Sequence, residues 1–411
     1  MNCRHCGAHL DLSLVDLGST PPSNAYLSLD SLKRPEKWFP LSVLVCRECW
    51  LAQTEDFSEA SELFDREYAY FSGFSISWLN HCEQYVTTMI ARFDLGPDSH
   101  VVEVAANDGS LLQYFKQHKI PCLGIEPTAS TAQSARAKGL PVVEDFFSVR
   151  LAKALLEEGR QADLMVANNV LAHVPDINDF VAGFAVLLKP HGVVTFEFPH
   201  LLELMAENQF DTVYHEHFSY LSMTAVNKIF ADNGLVAYEV QQLPTHGGSL
   251  RVFCQRSDTG RRTIRDSVER LLQQEASAGV RNPAFYADFQ ARAEVVKNEF
   301  LGFLLKARRE GKEVVAYGAA AKGNTLLNFA GVRGDLLAFV VDKNPAKQGK
   351  YLPGSRIPIV SEEHLLQHKP SYVVIFPWNL KSEIMQQLAY IRNWGGSFVT
   401  AVPQLSVIPA C

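Results

Sequence analysis

Twice along this chain, short aliphatic runs alternate with amphipathic helical stretches, and that rhythm leaves few folds open. The first series begins at "HVVEVAANDGSLLQYFKQH", where 101–104 reads as a buried strand, "NDG" as a tight turn and 110–118 as an amphipathic helix. It continues through "CLGIEP" (122–127), a helix over 129–138, "PVVEDFF", "ADLMVANN" and "GVVTFEFPH". A helix over 79–95 precedes the series and stops before Gly96-Pro97. The second series, "EVVAYGAAAKGNTLL", "LLAFVVDKNP", "YVVIFPW" and "SFVTAVP", follows long helices predicted between 268 and 310. Strands and helices at this spacing predict doubly wound parallel sheets, hence an α/β fold.

A length of 411 residues exceeds one ordinary core, so two or three domains are expected. Ahead of both α/β units stand two cysteine pairs, Cys3-x-x-Cys6 and Cys46-x-x-Cys49. Each turn converges two thiolates, and two such turns complete a tetrahedral structural zinc site with no open position. The other four cysteines, Cys82, Cys122, Cys254 and Cys411, are scattered and read as small buried hydrophobes. The expected division is a zinc module over 1–78, a central sheet domain over 79–243, and a C-terminal α/β domain over 244–411. A formal charge of −7 argues against a general nucleic-acid binder. The chain has no apolar run of membrane-spanning length and its N-terminus does not read as a signal peptide, so the cytoplasm is the expected compartment.

The first α/β turn decides the cofactor. Ligands of an open parallel sheet bind beyond the carboxyl ends of its strands. "EVAANDG" brings Glu103, Ala105, Asn107, Asp108 and Gly109 to that edge, and Glu126 closes the second strand where an acid can accept from ribose hydroxyls. A dinucleotide would need G-x-G-x-x-G for its diphosphate, and here only Gly109 remains beside Asn107-Asp108. S-adenosylmethionine, which carries an ammonium group, suits that polarity. Asp145 for an adenine amino group, Phe146 as a ring wall and Asn168 beyond the fourth strand complete the expected cofactor set.

In the C-terminal unit, "AYGAAAKGNTLLNFAG" is a strand, a small-residue turn and a helix that carries Lys322 and Asn324. Asp342 ends the next strand, and Lys343, Lys347 and Lys350 cluster after it. Small residues admit an anion to backbone N–H groups and lysines offset diphosphate charge, so this is read as a nucleotide-binding geometry. NAD is the competing reading, although G-A-A-A-K-G lacks the dinucleotide fingerprint.

The densest chemistry is "TVYHEHFSY" (212–220). Histidine supplies a base near neutrality, and tyrosine or a second histidine can stabilise an enolate. If the stretch is extended, His215 and His217 share one face while Tyr214 and Glu216 share the other. A metal site is the weaker reading, since adjacent ligands rarely converge on one ion.

These motifs together, in the order Cys-x-x-Cys twice, "VVEVAANDGSLL", "YHEHFSY", "THGGSLR", "YGAAAKGNTLLN" and "VVDKNPAKQGKYLPGSRIPI", resemble the sugar C-methyltransferases that make branched deoxysugars. The resemblance covers essentially the whole chain. It implies a zinc module, a central class I methyltransferase sheet and a C-terminal Rossmann-like domain that together enclose the substrate. It also implies methyl transfer to C3 of a nucleotide-diphosphate 4-keto-deoxysugar through an enolate. His217 is then the base, with Tyr214 and Glu216 as close partners and His173 of "VLAHVPD" on the sugar side. Tyr68 of "EYAYF", or Tyr70 two positions on, reaches over from the zinc module. His246 of "THGGSLR" lines the same cleft. A monomer is expected, because three domains can enclose the site unaided. The alternatives are a sugar O-methyltransferase, a nicotinamide-dependent sugar oxidoreductase, and a zinc-module binding protein without catalysis.

Overall fold

In the computed structural model, which describes residues 1–57 and 72–409, the chain forms three sheets. The first is antiparallel and contains β1 (Leu12–Thr20), β2 (Phe39–Val45) and β3 (Ala52–Thr54). Its far edge is closed by a two-residue strand, Ser219–Tyr220, from the distal end of the histidine-rich stretch, pairing Tyr220 with Ala52 and Ser219 with Gln53.

The central sheet is built from β4 (Val101–Val104), β5 (Cys122–Ile125), β6 (Val142–Val143), β7 (Ala162–Asn168) and β8 (Leu188–Pro199). The Ser219–Tyr220 strand is β9, after which β10 (Leu235–Leu243) and β11 (Ser249–Arg256) complete it. Its order is β10-β11-β8-β7-β4-β5-β6, with β11 antiparallel to both neighbours and the rest parallel. All four residues of β4 are buried, as a strand covered on both faces requires. "PVVEDFF" keeps only Val142–Val143 in register. Asp145 leaves the ladder for a 2.6 Å ion pair with Arg150.

The third sheet runs β14-β13-β12-β15-β16-β17, from β12 (Val314–Tyr317), β13 (Val340–Val341), β14 (Ile359–Val360), β15 (Tyr372–Ile375), β16 (Ser397–Thr400) and β17 (Ser406–Ile408). Only β17 runs antiparallel to its neighbour. The α/β expectation therefore holds in both series.

The small sheet does not stand apart. Helix Phe289–Arg309 buries Phe289, Ala293, Val296, Phe300, Leu304 and Ala307, a single stripe at helical spacing. That stripe shares one core with Leu14, Val15, Leu41 and Val43 of β1 and β2 and with Ala316 and Val340 of the C-terminal sheet. The N-terminal and C-terminal units are thus layers of one hydrophobic body.

The first turn of the central sheet stores strain at its binding edge. Ala105 and Asn107 take φ of 58° and 48°, conformations that cost L-residues about 1 kcal/mol or more each. Gly109 sits at φ +74°, and a Cβ there would lie 2.3 Å from the Leu140 side chain. Gly109→Ala should destabilise the protein by roughly 2–4 kcal/mol. A urea midpoint matching wild type would refute that.

Candidate active site

The carboxyl ends of the central strands and the small-residue turn after β12 open onto one cavity of about 430 Å³. Its wall includes Asn24 from the N-terminal unit, Glu126, Asn168 and His217 from the middle, and Ala320 and Lys322 from the C-terminal unit.

The histidine-rich stretch is not extended. The His217 N–H donates to the Tyr214 carbonyl at 2.9 Å and closes a tight turn. This corrects the strand-like pairing of faces, because a turn brings its first and fourth residues together instead of alternating them. The Tyr214 and His217 rings pack at a 32° tilt with centroids 3.9 Å apart, and the Tyr214 hydroxyl lies 2.7 Å from His217 Nε2. His217 Nδ1 is 2.9 Å from the Thr212 carbonyl. A carbonyl only accepts, so Nδ1 carries the hydrogen and Nε2 is the basic atom that receives the Tyr214 O–H. His173 repeats the arrangement, its Nδ1 donating to the Glu216 carbonyl at 2.7 Å, and its ring meets His217 edge-on at 4.6 Å. Burial pushes the His217 pKa well below its usual value, with His173 adding to the shift. Burial brings His173 to about 4. Both imidazoles are neutral at physiological pH.

The other two residues of the turn face away. Glu216 Oε1 accepts from the Asn24 backbone and side-chain amides at 3.2 and 3.1 Å, so its carboxylate ties the N-terminal unit to the turn without touching the His217 ring. His215 packs edge-on against Phe39, and its Nε2 lies 3.1 Å from the Pro40 carbonyl. Tyr68 and Tyr70 lie outside the described residues.

At the cofactor end, Glu126 is buried and its carboxylate accepts from Asn107 N at 2.9 Å, Thr128 N at 3.0 Å and Thr131 Oγ1 at 3.0 Å. Those donors fix its orientation at the cavity wall, and lone pairs remain. Burial raises its pKa. Asn168 lines the cavity with both amide atoms buried and unpartnered, and Glu103 Oε2 is likewise unpartnered. Buried polar atoms of that kind await a ligand, and this donor and acceptor set fits S-adenosylmethionine. Phe146 stands exposed on the cavity wall, whereas Asp145, held by Arg150, does not line it.

The "THGG" turn closes one side. Its Thr245 hydroxyl donates to the buried Glu197, which Arg251 also holds at 2.8 Å. His246, at φ 55°, receives the Asn169 amide at 3.2 Å, and burial lowers its pKa to about 4. In the C-terminal unit Lys322 and Lys347 line the cavity. Asp342 accepts from Ala319 N and Asn344 N, both at 2.8 Å, and so holds the small-residue turn in shape. Asn324 is fully buried and donates to the Ser23 carbonyl at 2.6 Å. Asn324, Asp342 and Lys350 are not in the cavity wall. Asp211, Trp378 and Asn379 stand beside the site but carry no functional motif in the sequence, since only tertiary closure brings them there, whereas Tyr220 closes the histidine-rich stretch itself.

The Sγ atoms of Cys3, Cys6, Cys46 and Cys49 all lie within 4.8 Å of one another, with Cys3–Cys49 and Cys6–Cys46 at 3.5 Å. Four zinc–sulfur bonds of about 2.3 Å in a tetrahedron require sulfurs roughly 3.8 Å apart, so the set fits zinc. Between the first two ligands, Arg4 reaches out to donate to the Pro175 carbonyl at 3.1 Å and the Thr54 carbonyl at 2.8 Å, and lies 5.4 Å over Phe218. It therefore links the metal turn to the loop that carries His173 and to the neighbour of His217.

The sheet order and the cofactor edge define an S-adenosylmethionine-dependent methyltransferase with a zinc-binding N-terminal domain. Three families match in succession: a zinc binding domain over 3–64, a methyltransferase domain over 78–240, and a C-methyltransferase C-terminal domain over 244–403. C-methyltransferase NovU from Streptomyces niveus is 34% identical over 408 residues, 99% of this chain and 97% of that protein. The chain belongs to this C-methyltransferase family. A ubiquinone biosynthesis O-methyltransferase from Bordetella avium shares 31% identity over 98 residues, 23% of this chain and 41% of that protein. Among solved structures, magnesium protoporphyrin IX methyltransferase from Synechocystis PCC 6803 is 16% identical with a TM-score of 0.36, covering 50% of this chain and 100% of that one. Among the described residues, no helix is long and apolar enough to cross a membrane.

Proposed function

We propose that the methyl acceptor is C3 of a nucleotide-linked 4-keto-deoxysugar and that His217 forms the enolate. The domain boundaries read at 78 and 243 make each unit a supplier of one part of this site. The observation that carries the reading is the His217 tautomer. Its hydrogen is committed to a backbone carbonyl, and the residue belongs to a cavity wall shared by the cofactor edge and the C-terminal turn. A sugar carbon becomes nucleophilic only after its α-proton leaves, so a neutral buried base beside a ketone is the requirement.

S-adenosylmethionine, held by Glu126, Asn168 and the Ala105–Gly109 turn, supplies the electrophilic methyl group. Tyr214 orients the His217 ring by packing against it and donates to its Nε2 in the resting site, moving aside or relaying the proton when substrate binds. His173 packs the opposite side of the base. Glu216 acts through Asn24, holding the turn in place. Ala320, Ala321 and Lys347 receive the nucleotide end, and His246 with Asn169 walls the sugar.

The test is deuterium incorporation at C3 of a thymidine-, guanosine- or cytidine-diphosphate 4-keto-6-deoxysugar in heavy water, with S-adenosylhomocysteine filling the cofactor site. Exchange, followed by carbon methylation once S-adenosylmethionine replaces the product, is expected. Absence of both with all three carriers would remove the reading. Glu126→Ala should raise the S-adenosylmethionine Kd by about 10- to 100-fold, because truncation leaves the Asn107 amide and the cofactor hydroxyls without an acceptor. Calorimetric titration giving an unchanged Kd would show that Glu126 only shapes the loop.

A further inference from the structure

An enolate needs a donor or a cation at its oxygen, and the groups of the histidine turn are already committed. The N–H of His217 goes to the Thr212 carbonyl, that of His173 to the Glu216 carbonyl, and the O–H of Tyr214 to His217 Nε2. The Tyr220 hydroxyl is buried without a hydrogen-bond partner, but as a neutral donor it stabilises an oxyanion less than a cation does. Neither neutral imidazole therefore has a ring N–H left to give an oxyanion.

Among the described residues that line the cavity, the cationic side chains are Lys322 and Lys347. Lys347 serves the protein itself. Its Nζ donates to the Ala319 carbonyl at 2.8 Å and lies 3.5 Å from Asp342. Lys322 has neutral neighbours in direct contact: Nζ is 3.0 Å from Asn379 Oδ1 and 4.0 Å from the centre of the Trp378 ring. Trp378 is clamped in turn. Its Nε1–H donates to Asp211 Oδ2 at 2.8 Å, and a Cβ on Gly247 would lie 2.4 Å from its ring. Asp211 immediately precedes Thr212, whose carbonyl holds His217. The clamp on the lysine's platform and the base's anchor are adjacent residues of one segment.

We infer that Lys322 is the catalytic electrophile of this site, its ammonium taking the charge that develops on the substrate carbonyl oxygen as His217 removes the neighbouring proton. This rests on the enolate reading above. In the step, the C3–H bond breaks and the proton passes to His217 Nε2. The bonding electron pair moves into C3–C4, and the C4–O π pair settles on oxygen beside Lys322. When the methyl–carbon bond forms, the C3–C4 π pair becomes that bond, the methyl group's bond to the donor sulfonium would break with its pair left on sulfur, and the oxygen pair returns to restore the ketone. The proton on His217 then leaves to solvent. A fixed cation aimed at developing charge in a water-poor cavity is the arrangement that contributes most to such steps.

The competing role for Lys322 is a clamp on the nucleotide diphosphate, and the two roles separate experimentally. C3 deuterium exchange with thymidine-diphosphate 4-keto-6-deoxyglucose would be measured for wild type, Lys322→Met and Lys322→Arg, beside the Kd for thymidine diphosphate alone. If another carrier exchanges better with wild type, that carrier and its free diphosphate replace this pair. Lys322→Met should exchange on the order of 10²-fold more slowly with a diphosphate Kd changed less than about threefold, and Lys322→Arg should recover part of the loss. Thermal melting of the arginine variant controls for folding. Burial lowers the Lys322 pKa to about 8 against the pull of Asp211, with His217 and His246 the other titratable groups in its field. Exchange should thus fall as pH rises through about 8 in wild type, and Lys322→Arg should lack that basic limb. Near-wild-type exchange in the methionine variant overturns the proposal, as does a loss of diphosphate affinity that matches the loss of exchange. Failure of wild type to exchange or methylate would instead bring down the enolate reading itself.

Discussion

Replacing His217 by asparagine should abolish both C3 exchange and carbon methylation, by at least about 10³-fold, the upper part of what a positioned base contributes. Asparagine is chosen because its amide can still donate toward the Thr212 carbonyl now served by Nδ1. The turn closed by the His217 N–H to Tyr214 is a backbone feature and survives the change. What disappears is the basic nitrogen 2.7 Å from the Tyr214 hydroxyl. S-adenosylmethionine affinity and melting temperature should stay close to wild type, which separates lost chemistry from lost structure. A variant keeping more than about a tenth of wild-type turnover would show that another group removes the proton.

Stripping zinc should have the next largest effect, and at a distance. Four thiolates with no open position leave the metal no catalytic role. Structural zinc commonly contributes on the order of 10 kcal/mol in small modules, where metal binding and folding are one process. Here the module also holds Arg4, whose guanidinium reaches the Pro175 and Thr54 carbonyls, and His5, whose ring bonds Asn178 at 2.8 Å. Dialysis against a strong chelator, or Cys46→Ser, should lower the melting temperature by roughly 10 °C and abolish turnover, with activity returning when zinc is restored to the chelated protein. Full activity in protein shown by metal analysis to hold no zinc would mean that the module serves only solubility or assembly.

Both doubly wound sheets were legible because a strand buried on both faces writes itself as a continuous aliphatic run, as in "VVEV" and "YVVI". The N-terminal sheet was not. Its β3 has only three residues, and its last partner, Ser219–Tyr220, lies far along the chain. The cysteine pairs were readable, since a Cys-x-x-Cys turn converges its own ligands locally. At the site, the chemistry of "YHEH" was visible but its geometry was not. An extended reading alternates the side chains, whereas one backbone hydrogen bond gathers Tyr214 and His217 and turns His215 and Glu216 toward the N-terminal unit. Lys322 could be picked out from its turn. The platform beneath it could not, because Asp211, Trp378 and Asn379 come from two units and meet only in three dimensions.

The proton positions of both imidazoles are dictated by main-chain oxygens, those of Thr212 and Glu216. Amide oxygens are not altered by exchanging the side chains that precede or follow them. An engineer who randomises position 212, which lines the cavity, to admit a bulkier or differently charged acceptor can therefore reshape the pocket wall while the acid–base logic stays as it was. The substrate range and the basicity of the centre are controlled by different parts of the same residue, so one can be evolved without re-optimising the other.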